Sequence, residues 1–381
     1  KKFALALNYE NTNNFDDFIV SEGVNPYNSM DSYFLNHAQG FELQYLQTQP
    51  GESIGSLYQY LGEAQNLGFD AQQAFLGYQS YILSPFDDTD DLNTDYYTNV
   101  PTGGNYYHKN TIQAKGYNGK FTANFSGAYK DKLYLGMNMN FHFTDYVRTS
   151  SLYESNLNPF YTTGFSIDTA RFNNEVYTYG SGFALNFGAI YKATDNVRVG
   201  LAYETPTWYR LNDELTQSIS SNYYDAATTF TTEAYINPNV VNVYPTYKIQ
   251  TPSKLTASGT VLFGKKGLLS VDYISKNYSK TKFKPSSENI YNSLNTQMKN
   301  ELQDNYELRI GGEYKIKQWS LRGGYRFEQS PYKVDLAFGD LFSYSGGLGY
   351  NFGESKLDIS YTNEHRNRTE ALLTSGLNDP A

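Results

Sequence analysis

Three guanidinium groups carry the most directed chemistry in this chain. Along Asn305–Glu328, NYELRIGGEYKIKQWSLRGGYRFE, Arg309, Arg322 and Arg326 share one face of two alternating segments, where a guanidinium can hold a carboxylate head group through two parallel hydrogen bonds. Glu307, Glu313 and Glu328 lie on the same face, so the alternative is a salt network complete without a ligand. Other reactive residue types do not assemble. Of the histidines His37, His108, His142 and His365, only His142 reads as mid-strand, between Phe141 and Phe143, and the nearby Asp145 is out of phase with it. No nucleophile and base pair results, so the chain does not read as an enzyme and His142 reads as a polar lumen residue. Asp87-Asp88-Thr89-Asp90-Asp91 offers hard oxygens to calcium but lacks the spacing and glycine of an EF-hand loop, and it reads as a solvated acidic loop. Gly347-Leu348-Gly349 opens like a dinucleotide fingerprint, yet no helix follows and the segment alternates as a strand. With no Cys for a thiolate site, no metal and no cofactor is expected.

What must position the arginines is a pair of strands. Tyr306, Leu308, Ile310, Tyr314 and Ile316 alternate with charged and glycine positions, and beyond a tight turn so do Trp319, Leu321, Tyr325 and Phe327. A soluble barrel turns such an apolar face inward, whereas an outer-membrane barrel turns it to lipid and lines its lumen with the charges. Composition narrows the choice. A chain of 381 residues with 38 Tyr and 24 Phe is too aromatic to be disordered, and a net charge of -9 without a Lys/Arg cluster argues against nucleic acid as a partner. No apolar run reaches the roughly 18 residues of a membrane-spanning helix, so a membrane form has to be a β-barrel.

Alternation predicts eleven strands: Phe3–Phe15, Tyr107–Tyr129, Lys132–Arg148, Val176–Lys192, Val197–Leu211, Ile249–Phe263, Leu268–Phe283, Tyr306–Ile316, Trp319–Phe327, Ser343–Phe352 and Lys356–Arg366. Short polar turns, at Lys130-Asp131, Ala193–Asn196, Gly264–Gly267, Lys317-Gln318 and Gly353–Ser355, alternate with long connections, which puts every short turn at one end. Outer-membrane barrels have this asymmetry, with short turns in the periplasm and long loops outside. Tyr129, Tyr191, Phe263, Tyr314 and Phe352 each end an apolar face just before a short turn, as an aromatic girdle requires. Arg198, Glu204, Asp272, Glu307, Arg309, Glu313, Arg322, Arg326 and Asp358 fall on the opposite face. A dry core would make them prohibitively costly, and a wet lumen makes them ordinary. The fold class is therefore all-β, a transmembrane antiparallel β-barrel. An odd strand number does not close a bacterial single-chain barrel, so further strands are expected beyond this chain.

At Gly180–Pro206, GSGFALNFGAIYKATDNVRVGLAYETP, the chain resembles the FadL/OmpP1/TodX family of outer-membrane transporters for hydrophobic compounds. A Gly-rich strand leads to an aromatic, a short polar turn and a G-L-x-Y strand. Thr251-Pro252-Ser253-Lys254-Leu255, the LLSVDYISKNYS strand and the Asn305–Pro331 hairpin continue the likeness. The opening KKFALALNYENTNNFDD is similar to the Bacteroidetes branch. The resemblance implies a single barrel domain over residues 1–381, fourteen-stranded when complete, with an N-terminal hatch and two strands before Lys1 and one strand after Ala381. No Asn-Pro-Ala hatch motif occurs in this chain.

Two further candidate sites follow. Ile54, Leu57, Tyr58 and Leu61 have helical spacing, and Ala71, Ala74, Phe75 and Tyr78 repeat it behind an N-cap at Asp70, so residues 41–83 form a helical loop on the long-loop side. By the resemblance its apolar faces, with Ile54, Leu57, Tyr58, Leu61, Phe75 and Tyr78, receive hydrophobic ligands outside the cell; alternatively the helices only pack on each other and cap the barrel. Between Tyr107 and Tyr129 the apolar positions shift from even, at Ile112 and Ala114, to odd, at Phe121, Ala123, Phe125 and Tyr129. A β-bulge at Gly116, Asn118 and Gly119 explains such a slip, and Asn-Gly as a tight turn is the rival. The resemblance makes the bulge a strand kink through which ligand leaves sideways. The expected function is passive uptake of hydrophobic small molecules such as long-chain fatty acids at the bacterial outer membrane, in contact with lipid and lipopolysaccharide. The alternative is a sealed accessory barrel with other outer-membrane proteins as partners.

Overall fold

Apolar and polar residues alternate along each long segment, and in the computed structural model these segments become staves of one antiparallel sheet. It describes residues 2–63, 67–334 and 338–369. In chain order the strands are β1 (Lys2–Asn14), β2 (Asp17–Asn25), β3 (Leu83–Pro85), β4 (Tyr96–Thr98), β5 (Tyr106–Tyr129), β6 (Leu133–Ser155), β7 (Phe165–Lys192), β8 (Val197–Glu204), β9 (Trp208–Asp225), β10 (Phe230–Ile236), β11 (Asn242–Val243), β12 (Tyr247–Gln250), β13 (Lys254–Leu262), β14 (Gly267–Asn277), β15 (Lys282–Lys284), β16 (Asp304–Ile316), β17 (Trp319–Glu328), β18 (Phe338–Asn351) and β19 (Lys356–Arg368). The helices are α1 (Asp31–Ala38), α2 (Ile54–Glu63), α3 (Gly68–Gln79) and α4 (Asn289–Glu301).

β1 and β2 form one interrupted stave, and both pair with β5. From β5 the ladder runs through β6 and β7 to the stave of β8 and β9. It continues through β12 and β13, then β14 and β15, and ends on β16, β17, β18 and β19. Among the described residues β1 and β19 carry one ladder each, and Arg368 Nη2 reaches Asp17 Oδ2 at 2.7 Å between the two flanking staves. The expected staves and short turns are present, but those expected at Val197–Leu211, Ile249–Phe263 and Leu268–Phe283 are each split, into β8 and β9, β12 and β13, and β14 and β15. Lys130 and Asp131 both take positive φ, 50° and 48°, the geometry whose twist suits a two-residue hairpin.

The outer face is apolar and the girdle stands where the alternation puts it: Tyr129, Tyr191, Phe263, Tyr314 and Phe352 are all exposed on it, from 47% at Tyr191 to 63% at Phe352. Several staves run further than expected at the long-loop end, β6 to Ser155 instead of Arg148 and β9 to Asp225 instead of Leu211. The reason is a change of environment along each strand. Leu152, Phe172 and Ile219 point inward there and share one buried core with α1, α2 and α3, and Ile112 is buried on the same inner face, so the inner face becomes the apolar one.

This change also corrects the reading of a bulge within Tyr107–Tyr129. β5 pairs with β6 at every residue from Tyr107 to Tyr129, including Gly116, Asn118 and Gly119. Even positions face inward along its length. Ile112 and Ala114 are buried on the inner face toward the long loops, and Phe121 and Phe125 are exposed on the outer, lipid-facing side. The irregularity lies in the neighbouring stave, whose register shifts between Asn11 and Asn13, opposite Gly119 and Asn118, and which breaks between Asn14 and Asp17, opposite Gly116. Gly116 itself takes φ +123°, and a Cβ there would run into the Asp145 carbonyl of β6.

The helices form a cap inside the long-loop end. It begins earlier than the 41–83 segment, because α1 starts at Asp31; buried Met30, Tyr33, Phe34 and Ala38 stand at i, i+3, i+4 and i+8, a helical pattern only about two turns long. Asp70 does not cap α3, which starts at Gly68, and instead lies 2.9 Å from His37 Nδ1. Cap and wall are joined by buried polar groups. Glu154 of β6, 2% exposed, accepts from Ser29 Oγ at 2.5 Å and Met30 N at 2.7 Å, with His108 Nε2 of β5 at 2.7 Å. Replacing Glu154 by Ala strips all three partners, which should weaken the cap locally by about 3 kcal/mol. Amide exchange should then quicken across α1 while the strands of β13–β17 keep their protection; unchanged exchange in α1 would mean the apolar contacts alone hold the cap.

Candidate functional site

The six loop residues expected to receive ligand lie in the cap's own core. Leu57 and Tyr58 of α2 are 5% and 1% exposed, and Leu61 and Phe75 are fully covered; Ile54 and Tyr78 pack against them half-buried. These apolar faces are thus packed within the cap, as the capping alternative has them. Tyr58 is also tied to the wall, its hydroxyl donating to Gln217 Oε1 of β9 at 2.7 Å, while Gln73 Nε2 of α3 donates to the same oxygen at 2.8 Å. Burial pushes the Tyr33 and Tyr58 hydroxyls well above the usual phenol range, so both remain protonated donors.

The three arginines do come together in the lumen, and each is engaged. Arg309 Nε and Arg326 Nε both reach Glu307 Oε1, at 2.5 and 2.6 Å, and Arg326 Nη2 reaches Glu328 at 2.7 Å. Arg322 spans Glu313 at 2.9 Å and Asp358 at 2.5 Å. Lys276 adds a contact to Glu328 at 3.4 Å. The geometry is the salt network rather than a set of free carboxylate receptors. Arg309, Glu313, Arg322 and Arg326 border a lumen cavity of about 550 Å³ together with Asp272 and Glu364.

The other half of the lumen wall carries a row of amide side chains. Thr122 Oγ1 donates to Asn140, Asn140 Nδ2 to Asn186, and Asn186 Nδ2 to Glu204, at 2.9, 2.9 and 3.1 Å, a line of side chains crossing β5, β6, β7 and β8. Lys254 closes the line on Glu204 at 2.9 Å. A second cavity, about 610 Å³, opens toward the short-turn end beside Asn124, Asn138, Asn186 and Arg198. This amide row was legible as Asn at lumen positions of successive strands, a signal that charge alone had eclipsed.

Gly116, Asn118 and Gly119 sit beside the interrupted stave. Thr12 Oγ1 donates to the Asn118 carbonyl at 2.7 Å, and Phe15 N to the Gly116 carbonyl at 2.9 Å, so irregular backbone is held by single bonds where a regular ladder would run. His142 faces the lumen on β6 with its ring 5.7 Å from that of Tyr209. The acidic loop is a set of self-contained turns. Thr89 N and Oγ1 donate to Asp87 Oδ1 at 2.9 and 2.7 Å, holding that carboxyl below its usual range, and no group of three metal-ligating side chains occurs among the described residues.

A model of the outer membrane protein transport family OMPP1/FadL/TodX matches residues 58–371. Among solved structures, the chain is similar to a Pseudomonas aeruginosa FadL homologue at 15% identity, covering 96% of this chain and 82% of that one with a TM-score of 0.44. It is also similar to the Pseudomonas putida toluene transporter TodX at 14% identity, covering 68% and 76% with a TM-score of 0.38. The Ralstonia pickettii toluene transporter TbuX gives 17% identity, 71% and 79% coverage and a TM-score of 0.35. No curated protein matches. With the family model covering most of its length, the chain belongs to the OMPP1/FadL/TodX family of outer-membrane transporters of hydrophobic compounds.

Proposed function

We propose that this barrel takes up hydrophobic small molecules such as long-chain fatty acids by admission through the cap, passage along the lumen and lateral release at the interrupted stave beside Gly116, Asn118 and Gly119. The observation that carries the reading is the pairing of a cap with an apolar core and a wall in which the stave of β1 and β2 breaks at Phe15 and Asp16, beside β5. The cap's core is continuous with wall residues such as Phe172 and Ile219, so a ligand that displaces cap contacts passes from one apolar environment to the next. Each acyl methylene buried on that route contributes about 0.8 kcal/mol. At the interruption, backbone groups that a regular ladder would pair are held by isolated bonds, which lowers the cost of opening the wall there.

Toluene, the ligand in the names of two of the similar structures, and a long-chain fatty acid are the two probes to compare. Cells expressing the full-length protein should take up both faster than cells without it, and the small polar solute glucose no faster. Equal rates with and without the protein would refute the reading.

The double variant Leu57→Asp, Phe75→Asp places two charges in the cap core, each costing several kcal/mol without a partner. It should change uptake of both probes by more than fivefold while the barrel still resists heating in detergent. Unaltered uptake would remove the cap from the route. Because Arg326 is committed to Glu307 and Glu328, Arg326→Ala should lower the unfolding temperature but leave toluene uptake within about twofold. A tenfold loss restricted to the fatty acid would instead restore a head-group role for the arginines.

A further inference from the structure

Tyr209 of β9 occupies a place on the lumen wall that fits a phenol, and its own ring is the occupant. Gly182 of β7 registers with Tyr209 on one side and with His142 on the other, and a Cβ on Gly182 would stand 2.6 Å from the Tyr209 ring. The ring therefore lies over bare backbone, edge-on to His142 at 5.7 Å and 61°. Its hydroxyl reaches past β6 to Asn118 of β5, accepting from Nδ2 at 3.2 Å. Yet two polar atoms at this place are buried without a partner, Asn118 Oδ1 and His142 Nδ1. Buried polar groups are normally satisfied, so each of these atoms marks a place where a donor would be gained.

The surroundings favour an uncharged occupant. Lys120, next to His142 in the register, is paired with Glu10, and the line beyond it is the Thr122–Asn140–Asn186 amide row. Outside, residues 26–105, which form the cap and its loops, hold ten Asp and Glu and no Lys or Arg. An anion approaching this mouth is repelled.

We propose that the Asn118–His142–Gly182 pocket binds a hydrophobic molecule carrying one neutral aromatic hydroxyl, a phenol, which displaces the Tyr209 side chain. The incoming ring lies over Gly182. Its oxygen accepts from Asn118 Nδ2, and its proton goes to Asn118 Oδ1 or His142 Nδ1, a bond that Tyr209 as placed does not make. The pocket lies against the segment of β5 that faces the interrupted stave. The inference rests on the transport reading for the ligand's route, but the pocket can be assayed without transport.

Equilibrium dialysis of the full-length protein in detergent at pH 7 against 4-propylphenol, propylbenzene and 3-phenylpropanoate compares one skeleton with a neutral hydroxyl, no polar group and a negative charge. Tyr209→Ala should raise 4-propylphenol affinity at least tenfold, and the other two less than threefold. Tyr209→Phe, which keeps the ring but releases Asn118, should raise phenol affinity severalfold and guards against misfolding of the alanine variant. Asn118→Leu should bring the phenol-to-propylbenzene affinity ratio down toward one. Equal gains for phenol and propylbenzene in Tyr209→Ala, or a ratio unmoved by Asn118→Leu, would overturn the proposal. Propylbenzene uptake by cells is the separate readout: its absence with phenol binding intact would refute transport and leave the pocket standing.

Discussion

Every backbone amide of a lipid-exposed strand must find its partner within the protein, because hydrocarbon supplies none. The rest of this structure depends on that constraint. It explains strands as long as β7, the antiparallel pairing of each stave with the next from β1 to β19, and the short turns that keep neighbouring staves in register. It also explains why an interruption carries meaning. At Phe15 and Asp16 the ladder yields to one backbone bond onto Gly116 and one side-chain contact from Asp16, so the wall's continuity there rests on few bonds.

The second organising fact is that each long strand passes through two solvents. Near the short turns, lipid lies outside and polar lumen inside. Near the long loops, the cap lies inside and polar surroundings lie outside, so the apolar face changes sides without any change in pleat. β5 shows the effect in one strand: Phe125 faces outward and Ile112 inward, with the pairing to β6 unbroken between them. Buried hubs such as Glu154 and Gln217 then tie the cap to the wall at the height where the change occurs.

Much of this was legible in the sequence, for physical reasons that particular residues make plain. Tyr129, Tyr191 and Phe352 announce the girdle because strand period and interface position are both local properties of the chain. Arg322 and Glu313 announce a lumen network because they share a face across one hairpin. Ile112 and Ala114 misled because period alone does not say which solvent a face meets at a given height. Asp70 read as a helix cap because the chemistry fits, but a partner from another helix, His37, claimed it. Tyr209 could not be seen at all, since its place depends on Gly182 and Asn118 being brought alongside by the registers of three ladders.

The missing basic residues of residues 26–105 have a wider bearing. The connections at 156–164 and 226–246 lack Lys and Arg as well, whereas the 278–303 connection holds Lys280, Lys282, Lys284 and Lys299. The mouth is thus split in charge, acidic over β5–β10 and basic beside α4. A protease that cuts after Lys or Arg finds its sites on one side of the rim, so the half that carries the cap is inert to trypsin-like enzymes while the opposite side is open to them.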